Sequence, residues 1–267
     1  MKLIYTASQV REAEKPYIEA ADYDGYLMQR AADAVAAEAQ ELLHGKDTAK
    51  ILLLIGPGNN GADTIYAGAR LSANGHRVDA VIFDSSEKNL ELIAREGGEG
   101  TRVLDPEHTL EQLAGYDLTI DGILGTGSSG AVRGSAGEYL GVLRAAQLDG
   151  KLGAVLAVDT PSGVDNNRGT VHEPSLRADR TVTFIGHKLP AGTSHSVHSG
   201  DIKLYDLGVP EALDAHKPAL RVLDREDYRE LIEIPDEHSH KYTRGVLGML
   251  TGSLEYPGAA LMSVRAA

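Results

Sequence analysis

Three short segments hold most of the side chains in this sequence that could do chemistry. They are Asn59-Asn60-Gly61-Ala62-Asp63, Asp121-Gly122-Ile123-Leu124-Gly125-Thr126-Gly127-Ser128-Ser129-Gly130 and Asp159-Thr160-Pro161-Ser162-Gly163-Val164-Asp165. Each sets amide, carboxylate or hydroxyl oxygens among glycines, and each follows an apolar run that reads as a strand. Glycine lets backbone approach a ligand, and a helix beginning at such a turn offers unpaired N–H groups to anionic oxygens. Oxygen donors of these types suit a hard cation. Asp121 is either a strand-end cap for the next turn or an acidic ligand for a cation or substrate. Asp159 ends the apolar run Leu152–Val158. Partial burial there is expected to raise its pKa toward neutrality, as acid–base work requires. Lys188 follows a further strand at 180–185, where its charge can face the same site, whereas His187 reads as solvated loop. His195 and His198 share a Ser/His-rich loop with no second cluster to complete a metal site. Ser162 lacks the partners of a nucleophile elbow, which argues against a hydrolase.

These turns can meet only if their strands run in the same direction. Strands are expected near 50–55, 78–83, 101–104, 118–123, 153–158, 180–185 and 201–205. Helices are expected near 62–74, 87–96, 109–115, 135–147 and 210–216, preceded by a helix opening at Thr6 with Gln9 as its capping-box partner and another over 26–43. This alternation predicts an α/β fold with a mostly parallel sheet covered on both faces, whose strand ends share one edge. Gly56, Gly58 and Gly61 also fit Gly-x-Gly-x-x-Gly, with Asp84 ending the next strand, so a nicotinamide-dependent dehydrogenase is an alternative. Pro57 and the two asparagines fit it poorly, because they put bulk where a pyrophosphate needs close backbone approach.

Composition narrows the function. With 39 acidic and 26 basic residues the net charge is −13, which argues against nucleic acid or an anionic membrane as partner. Absence of cysteine excludes disulfides and thiolate catalysis. The polar start Met1-Lys2-Leu3-Ile4-Tyr5 and the lack of an apolar run near ~20 residues lead to the expectation of a cytoplasmic protein. From Leu223 the sequence becomes charged and then polar around Pro235. Residues 1–232 are read as one domain and 233–244 as a linker. Residues 245–267 read as the first strand, turn and helix of a further domain, too short to bury a core alone.

The three turns, in this order and spacing, resemble the NAD(P)H-hydrate epimerase family. Leu27-Met28-Gln29-Arg30-Ala31-Ala32 and Phe184-Ile185-Gly186-His187-Lys188 resemble two further motifs of that family, and the likeness covers about residues 4–215. Residues 241–267 look like the opening of a ribokinase-like, ADP-dependent NAD(P)H-hydrate dehydratase domain, so the whole resembles the epimerase half of a bifunctional repair enzyme. The resemblance implies a Rossmann-like three-layer αβα sandwich, a homodimer and a bound potassium ion. It implies Asn60, Asp121 and Ser162 as potassium ligands. It implies contacts to hydrated NADH or NADPH from Asn59, Asn60, Gly61, Ala62, Asp63 and Asp159, and from the loop Gly125, Thr126, Gly127, Ser128, Ser129, Gly130 and Ala131. The family turn usually reads Asn-Asn-Gly-Gly-Asp-Gly; Ala62 and Thr64 replace two of its glycines. The substrate ring carries a hydroxyl on carbon 6, beside the ring nitrogen. Its epimers interconvert through an iminium or an opened aldehyde, and either route moves protons without moving a hydride. Asp159 is the expected proton carrier and Lys188 its electrostatic partner. A non-catalytic binding or scaffold domain is the remaining alternative, and the joint presence of Asn60, Asp121, Asp159 and Ser162 argues against it.

Overall fold

Five apolar residues in a row, Ile51–Ile55, can be buried only if both faces of their strand are covered. The structure, a computed structural model, describes residues 1–267 except 84–86, 99, 128, 232–234, 241 and 244. It divides into two compact units, Met1–Val222 and Leu223–Ala267. In chain order the first holds β1 (Lys2–Tyr5), α1 (Ala7–Ile18), α2 (Tyr26–Leu42), β2 (Lys50–Ile55), α3 (Asn59–Ala73), β3 (Arg77–Ile82), α4 (Glu87–Glu96), β4 (Thr101–Val103) and α5 (Pro106–Leu110). Then come β5 (Leu118–Gly122), α6 (Gly134–Leu148), β6 (Ala154–Val158), β7 (Arg180–Phe184), β8 (His187–Lys188), β9 (Asp201–Tyr205) and β10 (Leu220–Val222).

Seven strands form one sheet in the order β4-β3-β2-β5-β6-β7-β9, with every pairing parallel. The alternation of side chains along β2 builds two cores. Ile51, Leu53 and Ile55 join Ala31, Val35 and Leu71 on one face, while Leu52 and Leu54 join Phe83, Tyr139 and Leu140 on the other. This is the expected three-layer α/β sandwich. From β2 the chain winds outward through β3 and β4, then returns to place β5 on the other side of β2. The crevice outside the ends of β2 and β5 is therefore the topological switch point, where open α/β sheets bind ligands.

Two short features position the rest of the site. β1 pairs in parallel with β8 and antiparallel with β10, making a second sheet of three strands. Thr6 then starts α1 with the expected capping box: Gln9 N donates to Thr6 Oγ1 at 3.2 Å and Thr6 N donates to Gln9 Oε1 at 2.9 Å.

All seven expected strands occur in the large sheet. The helix expected from Ala62 starts at Asn59, because the two asparagines themselves form its first turn behind Gly58. The helix expected at 109–115 is α5 followed by a 3₁₀ turn at Leu113–Gly115, and that at 210–216 is a 3₁₀ turn at Pro210–Leu213. β1, β8 and β10 are too short to show alternation. Asp84 lies outside the described residues.

The second unit contains α7 (Arg225–Leu231) and α8 (Pro257–Ala266). The unit boundary at Val222 precedes the expected domain end at 232, so α7 belongs with the later residues. The strand expected from Gly245 is absent among the described residues, which have no neighbouring strand there to take its backbone hydrogen bonds. Val246, Leu247 and Leu250 are exposed.

The turn after β2 requires a residue without Cβ. A Cβ on Gly56 would lie 1.8 Å from the backbone oxygen of Ile123, on the strand exit that Gly56 N bonds at Gly122 O (3.2 Å). Gly56→Ala is expected to cost about 3 kcal/mol, read as a lower midpoint in urea; an unchanged midpoint would show that the two turns are not locked together.

Candidate active site

Asn60 joins all three turns. Its Nδ2 donates to Leu124 O at 3.1 Å and to Val158 O at 3.0 Å, which fixes Oδ1 as the free, acceptor end of the amide. That oxygen would be 2.8 Å from a Cβ on Gly125, so only glycine lets the second turn close over it. Beneath lies Asp121, fully buried at the end of β5. Ser162 donates to it twice, from N at 2.8 Å and from Oγ at 2.6 Å, and Ile123 N donates at 3.3 Å. Ser162 Oγ in turn accepts from Leu124 N at 3.0 Å. Burial pushes the Asp121 carboxyl above its usual value, against the pull of the Ser162 and Ile123 hydrogen bonds. Among the described residues no lysine or arginine forms an ion pair with it.

The third turn carries Asp159 in the left-handed region, φ 64°, which only a well-supported site sustains in a non-glycine residue. Asp159 is 6% exposed and Lys188 4%. Lys188 Nζ donates to Asp159 Oδ1, to Thr183 Oγ1 at 3.0 Å and to Phe184 O at 3.0 Å. Thr126 Oγ1 donates to Asp159 Oδ2, and Thr183 Oγ1 to Oδ1 at 3.2 Å. The sequence led us to expect a raised Asp159 pKa, and the structure reverses that. Burial does push the carboxyl up, but the Lys188 charge and the hydrogen bonds from Lys188, Thr126 and Thr183 outweigh it and hold Asp159 below the usual range. At neutral pH Asp159 is therefore an anion fixed against a buried ammonium.

The pair opens onto a cleft of about 420 Å³ at the switch point. Asn59, Asn60, Asp63, Gly125, Thr126, Gly127, Asp159 and Lys188 line it. Gly61 and Ala62 lie beneath the wall. A Cβ on Gly61 would be 2.1 Å from Gly56 O, and Ala62 packs in the hydrophobic core, so its methyl group takes no room from the cleft. Thr64 is also buried, and its Oγ1 donates to Asn60 O at 2.8 Å. Asp121 and Ser162 are buried outside the lining; Ser129, Gly130 and Ala131, exposed or part-buried, also fall outside it, and Ser128 lies outside the described residues. The N-terminus of α3 has no side-chain cap, so its first N–H groups stay open to an anionic ligand. His187 is half-buried and pushed down to about 4, chiefly by burial. No group of three His, Cys, Asp or Glu able to hold a metal ion occurs among the described residues.

The sequence profile of the YjeF-related protein N-terminus family matches residues 25–189. The chain belongs to that family. It is 36% identical over 220 residues to the NAD(P)H-hydrate epimerase of Microbacterium testaceum, a match covering 81% of this chain and 82% of that protein. It is 31% identical over 275 residues to the bifunctional NAD(P)H-hydrate repair enzyme Nnr of Mycobacterium leprae, covering all of this chain and 54% of that protein. The chain thus spans about half the length of the bifunctional relatives it matches. The crystal structure of yeast ynu0, YNL200c, shares the fold, with a TM-score of 0.62 at 18% identity, covering 92% of this chain and 99% of that one.

The family motifs account for three turns and Lys188, but the cleft has a further wall. α1, ahead of the matched region, contributes Val10, Arg11 and Glu14. Glu14 and Asp63 both have raised carboxyl pKa values. For Glu14, burial leads, the Lys188 charge opposes it and Asp159 adds to it; for Asp63, burial leads, followed by Asp159 and Glu14. Nothing in the spacing of Glu12 and Glu14 along α1 singles out Glu14 before its helix is docked.

Lys188→Met leaves Asp159 buried without its counter-charge and is expected to cost about 3–5 kcal/mol. In the wild-type protein the depressed Asp159 pKa contributes stability above the unfolded value of about 4, lost as pH falls through the folded value. In Lys188→Met only the Thr126 and Thr183 hydrogen bonds still oppose burial, the largest influence, so the sign is expected to reverse and stability to fall as pH rises through the raised Asp159 pKa. Urea denaturation of both proteins across pH checks this, and a parallel pH dependence would refute it.

Proposed function

We propose that this chain epimerises the R and S forms of hydrated NADH and NADPH, acting as an isomerase in nicotinamide nucleotide repair. The observation that carries this reading is the Asp159–Lys188 pair, held at the base of a cleft built from the three family turns. The names of the Microbacterium testaceum and Mycobacterium leprae relatives supply the substrate. At carbon 6 the ring nitrogen can push out the hydroxyl to leave a planar iminium, and water returning on the other face gives the opposite epimer. Asp159, ionised beside Lys188, suits the task of accepting the proton released as water adds. The open N-terminus of α3 and the Gly125–Gly127 turn suit the phosphates.

Potassium fits the layer beneath. Asn60 Oδ1, the Asp121 carboxylate and Ser162 are oxygen donors of the type a hard monovalent cation takes. Asp121 is a buried acid whose neighbours offer hydrogen bonds but no positive charge. Asn60, Asp121 and Ser162 would hold the ion, whose charge would offset the burial of that carboxylate and stiffen the three turns. The reading extends to a cytoplasmic homodimer, and to residues 245–267 as the start of an ADP-dependent dehydratase domain within a longer bifunctional protein.

Two measurements test this function. The chain, mixed with one pure epimer of hydrated NADH, should yield both epimers by chromatography, and Asp159→Asn should slow conversion by ~10²–10⁴-fold. Failure of the wild-type chain to interconvert them would reject the function. Potassium should raise the melting temperature of wild type but not of Asp121→Ala, with choline as control; an equal response in both would remove the ion from this site.

A further inference from the structure

Epimerisation by loss and return of water needs a proton donor as well as an acceptor. The Asp159–Lys188 pair is a poor donor, because Asp159 is held as an anion and the Lys188 ammonium is enclosed by Asp159, Thr183 and Phe184 O. Two other acids line the same cleft and take no part in the mechanism above. Glu14 enters from α1 and Asp63 from the second turn of α3, both half-buried. Neither forms an ion pair among the described residues; Asp159 acts on both as a like charge, and Glu14 acts so on Asp63. Both carboxyls are pushed up, chiefly by burial in the partly closed cleft and further by the Asp159 charge, which favours a proton on this pair of acids. The groups facing Glu14 are Lys188, Asp159, Asp63 and Tyr23, with Arg11 on its own helix at the cleft wall. Lys188 is the one cation in that set that acts on Glu14, and Asp159 already holds it.

We propose that Glu14 is a catalytic residue of this cleft, which shares a proton with Asp63 and delivers it to the hydroxyl leaving carbon 6. This rests on the epimerase reading and adds the acid that reading lacks. The step balances without an oxidant or reductant. The carbon–oxygen bond breaks as the Glu14 proton passes to the departing oxygen, which leaves as water, and the nitrogen lone pair forms the carbon–nitrogen double bond. Water then adds to the other face of carbon 6, the double-bond electrons return to nitrogen, and the released proton passes to Asp159. Glu14 and Asp159 come from separate elements, α1 and the end of β6, so the two faces of the ring need not share one proton carrier. Solvent then takes the proton from Asp159, whose carboxyl is held below its usual range, and returns one to Glu14, which resets both groups for the next turnover.

The test uses the full chain, either epimer of hydrated NADH and the variants Glu14→Gln and Glu14→Asp. Glu14→Gln keeps size and polarity but cannot release a proton. Its kcat should fall at least ~10²-fold, with KM changed less than about threefold and the melting temperature held. Wild-type kcat should decline at high pH as Glu14 and Asp63 lose their common proton, and this limb should vanish in Glu14→Gln. Glu14→Asp should recover part of the rate together with the limb. Wild-type kcat in Glu14→Gln, or a loss that leaves the alkaline limb in place, would overturn the role of Glu14 while leaving the epimerase reading intact. A wild-type chain that interconverts nothing would overturn the epimerase reading itself, and this role with it.

Discussion

The site depends on one buried ion pair. Lys188 and Asp159 are both almost fully enclosed, and a charge so enclosed is tolerated only where its partner is fixed. Much of the surrounding architecture does that fixing. Thr126 from the second turn and Thr183 from β7 hold the carboxylate, while Thr183 and Phe184 O hold the ammonium. Lys188 is itself placed by β8, whose two residues pair with Ile4 and Tyr5 of β1. The chain leaves β1 through Thr6, which caps α1, and α1 carries Glu14 into the same cleft. The small sheet therefore sets two charged groups from opposite ends of the sequence at one site.

The large sheet was legible because its signals are long. Seven apolar runs with helices between them specify parallel strands, and parallel strands force three polar turns to one edge. Asn60, Asp121, Asp159 and Ser162 could therefore be picked out as neighbours before any geometry was known. The small sheet was illegible for the converse reason. β8 is two residues long and β10 three, too short for periodicity to register. Glu14 was invisible with them, since its meaning comes only from where β1 docks α1.

The sign of the Asp159 shift shows a different limit. Its position at the end of an apolar strand correctly indicated burial, and burial alone raises a carboxyl pKa. The opposing influence comes from Lys188, and strand spacing does not reveal that the lysine reaches back over Thr183 to touch the carboxylate. Burial was thus a local property readable from sequence, whereas the counter-charge was a tertiary one. The same distinction explains Ala62. As a replacement for glycine it suggests obstruction at a ligand-facing turn, but the helical register from Asn59 turns its methyl into the core.

Charge balance ties these layers together. Three carboxyls, Glu14, Asp63 and Asp159, face the cleft with Lys188, and a fourth, Asp121, lies below it with hydrogen-bond donors only. Under the epimerase reading, a chain of net charge −13 that takes in a dinucleotide phosphate must offset negative charge locally. Here the offset differs by depth. At the base of the cleft an ammonium does it, and along the wall the carboxyls favour holding a proton. Below, three turns converge on oxygen donors that suit a cation. A carboxylate kept ionised by Lys188 and a carboxyl pushed up by burial and by like-charged neighbours are complementary acid–base partners. They coexist because Lys188 is committed to Asp159 by geometry, which leaves Glu14 and Asp63 to settle their repulsion by sharing a proton.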